Sequence, residues 1–145
     1  MIHSNHIPLF PLSLIPFILF LISCSQTATV TEQSFPDGKP KTVITYAIDD
    51  STKNIRSIVE YYPDGNLRFE GEYRGGKKNG IWIYYFQNCN KWSEGSYKNG
   101  LADGKFSVWR ENGSLRYEGY FSNGKKLGAW KFYDESGKLI KEEEF

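Results

Sequence analysis

The sequence predicts an all-β fold, an open antiparallel β-meander of hairpin repeats, on three observations. Residues keep phase at a step of 24: Gly71, Gly95 and Gly119; Gly80, Gly104 and Gly128; Trp82, Phe106 and Trp130; Tyr73, Tyr97 and Phe121. Two more columns run through four copies, Tyr61, Tyr85, Trp109 and Tyr133, and Glu70, Glu94, Glu118 and Glu142. A fixed period of this size marks stacked supersecondary units, each too small to bury its own apolar face. Aromatic residues make up 17% of the chain and there are 14 glycines, a mixture that suits strands and tight turns. Finally, Asp64-Gly65, Asn112-Gly113 and Ser136-Gly137 separate the copies. Asp-Gly and Asn-Gly are hairpin signals, because a type I′ turn needs positive φ at both central residues.

Taken in order, the chain divides into residues 1–23, 24–34 and 35–145. Residues 7–22 are almost wholly apolar, and no charged side chain precedes Glu32. The stretch is shorter than the roughly 20 residues a membrane-spanning helix needs and is interrupted by Pro8, Pro11 and Pro16, so it reads as a signal peptide. Leu21-Ile22-Ser23-Cys24 resembles a bacterial lipobox. The resemblance implies cleavage before Cys24 and diacylation of its thiol. The other readings are an uncleaved anchor, or an ordinary signal peptide with a fortuitous Cys. Acyl chains at Cys24 would hold the domain on a membrane, since each buried methylene adds roughly 0.8 kcal/mol. Residues 25–34, rich in Ser and Thr, read as a polar tether of roughly 17 Å r.m.s. reach. No acidic run follows Cys24; in lipoproteins of the Bacteroidota such a run resembles a surface-export signal, so the lipoprotein resemblance implies the outer membrane, facing the periplasm.

The domain opens with a degenerate copy. Phe35-Pro36-Asp37-Gly38 matches Tyr62-Pro63-Asp64-Gly65, at a step of 27. The surplus falls in the polar residues 49–54, and residues 41–48 and 55–62 read as strands from their β-branched and aromatic content. In each regular copy a first strand such as 67–73 alternates apolar and charged residues. It places Leu67, Phe69 and Tyr73 on one face and Arg68, Glu70 and Glu72 on the other. A six-residue loop, 74–79, leads to a second strand, 80–86, with Trp82, Tyr84 and Phe86 on one face. Gly71, Gly95 and Gly119 fall mid-strand, where glycine weakens a sheet. Either each leaves room for an aromatic of the Trp82, Phe106, Trp130 column, or each marks a bulge. At the C-terminal end Glu143 stands in the glycine column beside Glu142 and Glu144. It reads as a cap against edge pairing, with an acidic binding strip as the rival reading.

Tyr85, Trp109 and Tyr133 fall on the opposite face from Trp82, Phe106 and Trp130. Trp92 stands where other copies carry Arg68 and Arg116, on the otherwise charged face. Tyr85, Trp92, Trp109 and Tyr133 are therefore the candidate protein-binding residues, since Tyr and Trp dominate interface energetics. A two-sided core closed by loops or curvature is the competing explanation. Cys89 occupies a turn-glycine position; it is either an inert turn residue or, as the last thiol after lipidation of Cys24, a site of intermolecular pairing.

Glu-Gly-x-Tyr/Phe, Asn-Gly-Lys-Lys-x-Gly-x-Trp and Tyr-x-x-x-Gly, clearest over residues 61–133, resemble the MORN-repeat variant, found in bacterial proteins often labelled as YwqK-type antitoxins. The resemblance implies a MORN-like β-hairpin repeat domain and, through that label, a toxin as partner. The residues themselves exclude more than they select. His3 and His6 are the only histidines and both precede Cys24, so the domain lacks the commonest general base. No Cys/His cluster suits zinc and no phosphate-binding loop precedes a helix. The expectation is no catalytic residue, no metal and no cofactor. With 18 Lys+Arg against 17 Asp+Glu, no basic excess points to nucleic acid. Three functions follow: an envelope-anchored protein-binding or scaffold module with an envelope protein as partner; an antitoxin or immunity protein masking a toxin; or a module for envelope glycan or lipid.

Overall fold

A computed structural model describes residues 27–48 and 54–145. The described chain forms ten strands: β1 (Thr27–Ser34), β2 (Pro40–Ala47), β3 (Asn54–Tyr61), β4 (Leu67–Arg74), β5 (Lys77–Tyr85), β6 (Lys91–Lys98), β7 (Leu101–Trp109), β8 (Leu115–Ser122), β9 (Lys125–Tyr133) and β10 (Leu139–Glu144). They make one antiparallel sheet in sequence order, each strand pairing with the next. This is the expected open meander. The apolar residues 7–22, Cys24 and residues 49–53 of the polar stretch 49–54 lie outside the described residues.

The tether reading does not hold for residues 27–34, which form edge strand β1 against β2, from Thr27 opposite Ala47 to Ser34 opposite Pro40. Thr27, Thr29 and Thr31 alternate with Ala28 and Val30, and β-branched threonines fit a pleated, half-exposed strand as well as they fit a polar linker. The β-sheet domain thus begins before residue 35.

The turns also differ from expectation. The six-residue loop at 74–79 is a two-residue turn, Gly75-Gly76, with φ of 56° and 71°. Its equivalents are Asn99-Gly100, at 52° and 89°, and Asn123-Gly124, at 48° and 81°. These, not the junctions between copies, have positive φ at both central residues. At the junction after β3, the Gly65 amide donates to Tyr62 O and the Tyr62 amide to Asn66 O. Gly65 alone has positive φ there, 91°. That is a type I turn closed by a left-handed residue. Pro63 presets φ at its first central position, and Asp64 Oδ1 accepts the Asn66 amide.

Both rows of turns tie copy to copy. On one side the Gly100 amide donates to Lys78 O and the Gly124 amide to Ala102 O. On the other, Tyr62 Oη donates to Tyr85 O, and Asn66 Nδ2 to Gln87 O. Asn90 Nδ2 donates to Glu111 O. Arg110 reaches Leu115 O within its own turn and Tyr133 O and Asp134 O in the next.

The core lies along one face. Gly71 is opposite Trp82, Trp82 opposite Gly95, Gly95 opposite Phe106 and Phe106 opposite Gly119. Of the two readings of these glycines, the aromatic one is correct. A Cβ at Gly95 would stand 2.6 Å from Phe106 Cδ2, and those at Gly71 and Gly119 would strike Trp82 and Trp130. Each ring leans over the preceding strand. Trp82 Nε1 donates to Glu72 O (3.0 Å) and Trp130 Nε1 to Tyr120 O (3.2 Å), which satisfies the indole while burying it. Trp82 and Trp130 are each 2% exposed. The second aromatic column stands edge-on beside them: Tyr73 at 5.2 Å from Trp82, Phe121 at 5.0 Å and Phe145 at 6.2 Å from Trp130. Phe145 thus supplies the fourth copy's member of that column.

Candidate interaction face

The opposite face is built by strand alternation and two kinds of bulge. In each copy the second strand carries two surplus residues: one step on β4, Gly71 to Glu72, faces three on β5, Trp82 to Asn79. Gly80, Gly104 and Gly128 sit in these bulges with φ of 73°, 111° and 64°. The column absorbs a left-handed backbone that side chains rarely adopt.

The other bulge moves Trp92. Tyr84 faces Ser93 while Tyr85 faces Lys91, so Trp92 is the extra residue; Arg68 and Arg116 are the same in their copies. Period-two counting put Trp92 beside Tyr85, but a bulge turns its residue out of alternation. Its ring instead meets Tyr84 at 6.0 Å and Phe86 at 6.3 Å, on the side of the Trp82 core, and is half exposed. Leu67 changes face for the same reason and is opposite Tyr61.

The structure brings Tyr85, Trp109 and Tyr133 together as a column on the second face, two strands apart, or roughly 10 Å. All three are half-buried. Tyr85 Oη donates to Glu70 Oε1 (3.0 Å) and Tyr133 Oη to Glu118 Oε1 (3.1 Å). Glu70 is therefore held by a tyrosine. Burial, then the Glu70 carboxylate, pushes the Tyr85 phenol up to about 12. Tyr133 is raised by burial first and then by Glu118. Lys105, 2.9 Å from Glu118, holds that carboxyl below its ordinary value, assisted by Tyr133. Trp109 has no hydroxyl to engage Glu94, which pairs instead with Lys91 at 2.6 Å. The Lys91 ammonium lies 5.7 Å from the Trp109 ring centroid, and the Trp109 indole N–H has no acceptor among the described residues.

Two hollows open on this face at equivalent places in the first and third regular copies. One, of about 250 Å³, has Ile81, Ile83, Glu70 and Glu72 around Gly71. The other, of about 360 Å³, has Lys105, Glu118, Tyr120 and Lys131 around Gly119. Nothing in the sequence period announces them.

Cys89 is exposed, with φ of 68° in the place of a turn glycine. Among the described residues no group of His, Cys, Asp and Glu side chains could hold a metal ion.

Residues 58–74, 102–123 and 126–145 match a family described as MORN repeat variant. No curated protein matches the chain. Among solved structures, a protein of unknown function from Bacteroides fragilis is similar at 15% identity, covering 84% of this chain and 94% of that one, with a TM-score of 0.26.

Proposed function

From the premise that this chain belongs to the MORN repeat variant family, we propose that it is a non-catalytic protein-binding or scaffold module. Its contact face is the one bearing Tyr85, Trp109 and Tyr133. Trp109 carries the reading. It is the middle member of the column, half-buried, and its indole N–H has no acceptor among the described residues. The two core indoles donate to backbone carbonyls. A large flat ring with an unused donor is what an interface anchor requires. The module is carried on a lipid at Cys24, in the bacterial envelope, on the periplasmic side of the outer membrane; the lipobox-like Leu21-Ile22-Ser23-Cys24 supports this.

The test is affinity capture of the full chain against native envelope extract, with Trp109→Ala beside it and Trp92→Ala as the opposite-face control. A stoichiometric protein lost with Trp109→Ala and kept with Trp92→Ala supports the reading, and its identity separates a scaffold client from a toxin. No protein above background, with both variants folded, sinks it. Cys24→Ala tests the anchor separately: the protein should leave the membrane fraction.

A further inference from the structure

The two hollows are the same site with different linings. Moving 48 residues along the chain takes Ser57 to Lys105, Glu70 to Glu118, Glu72 to Tyr120, Ile81 to Ala129 and Ile83 to Lys131. In the third copy the chain supplies its own cation: Lys105 crosses from β7 and sets its ammonium 2.9 Å from Glu118 Oε2. In the second copy the equivalent Glu94 is paired with Lys91. In the first copy Lys105 is replaced by Ser57 and Lys131 by Ile83, and a second carboxylate, Glu72, stands where Tyr120 stands. Among the described residues no lysine or arginine reaches Glu70 or Glu72 to pair with them. Ile81, half exposed, and Ile83 wall the same space.

We infer that the hollow around Gly71 takes the side chain of a lysine or arginine from a protein partner. Apolar walls with carboxylates beside them match a long aliphatic stem carrying a cationic head. Lys105 shows within the same chain where such a head sits. This deepens the interaction reading above and rests on it, because the hollow lies on the face of Tyr85 and supplies the charge that the aromatic column lacks.

The test uses hexylammonium as probe, titrated into the isotope-labelled full chain, with hexanol as the uncharged stem. Hexylammonium should shift the amides of Gly71, Ile81 and Ile83, while hexanol at the same concentration should not. Ser57→Lys, which copies the third copy's arrangement, should abolish the shifts. Glu72→Gln, of the same shape, should weaken them roughly fivefold, the scale of one exposed charge pair. Equal shifts with hexanol, or shifts that survive Ser57→Lys, overturn the inference. The partner captured above supplies the second arm. If it binds Ser57→Lys and Glu72→Gln as well as wild type, the hollow is not its contact, though the interaction reading stands. If no partner is captured, that reading falls while the titration still decides the hollow.

Discussion

Replacing Gly71 with Ala tests whether the glycine column exists to house the aromatic one. The new Cβ would stand 2.7 Å from Trp82 Cε3, with Cδ2 and Cε2 closer still, whereas ordinary contact begins at 3.4 Å. The indole must retreat by at least 0.7 Å, the difference between those distances, and further at Cδ2. Overpacking of this kind costs about 1–3 kcal/mol. The retreat also strains the Trp82 Nε1 bond to Glu72 O, worth about 0.5–1.5 kcal/mol. Gly71→Ala should therefore destabilise by about 2–4 kcal/mol. Trp82→Ala alone should cost about 3–5 kcal/mol. With the indole gone the new methyl meets no ring, and alanine recovers the roughly 0.5–1 kcal/mol that glycine forfeits in a strand. The double variant should thus be no less stable than Trp82→Ala, leaving a coupling energy of about 2–4 kcal/mol. Urea unfolding followed by far-ultraviolet circular dichroism measures all three variants. Additive costs, with coupling below about 0.5 kcal/mol, would falsify the steric argument and return these glycines to the role of simple strand irregularities.

Three further outcomes follow from the same geometry. Cys89→Gly should stabilise the protein by about 1 kcal/mol, because a Cβ in the left-handed region costs that much; a lower urea midpoint would contradict this. Arg110→Met keeps the stem and removes the guanidinium that joins one junction turn to the next. It should cost on the order of 2 kcal/mol and speed hydrogen exchange in residues 134–138 before the rest of the sheet; uniform acceleration would mean that the arginine is not a local tie. The third concerns alkaline pH. The folded Tyr85 phenol is raised from 10.0 to about 12 by burial and Glu70. Its contribution is full below the unfolded value and is lost as pH rises from about 10 through about 12. Tyr85→Phe should flatten the fall in urea midpoint across that window, and an unchanged slope would show that the phenol does not carry it.

The period, the sheet and its strand order were legible because the columns at 24 residues survive every local irregularity. The service of Gly71 to Trp82 was legible too, as one of two readings, since a glycine and a large ring at fixed offset invite a steric pairing. What escaped the reading was local backbone geometry. Strict alternation cannot register a bulge, so it places Trp92, and Leu67 with it, on the wrong face. Gly75-Gly76 disguised in the first copy the Asn-Gly turns plain at Asn99-Gly100 and Asn123-Gly124. The threonines of β1 fit a tether by polarity and a strand by branching, and pairing with β2 decided between them. The hollow at Gly71 depends on Ser57, Glu70 and Ile83 from three adjacent strands, and only the register places them together.

Each aromatic leans over the glycine of its own hairpin, while hydrogen bonds between turns join one hairpin to the next. The recess is thus built within one hairpin, while neighbouring rings also meet across copies, Trp82 with Tyr97 and Phe106 with Trp130, each at 6.4 Å. Deleting or duplicating 24 residues between equivalent positions would remove or add one ring with its own glycine and leave every other pair as it was. An alteration of 12 residues would strand a ring without its recess. The gene can therefore change length in whole copies without parting any ring from its recess, and the number of aromatic positions on the outer face becomes a quantity that recombination can set.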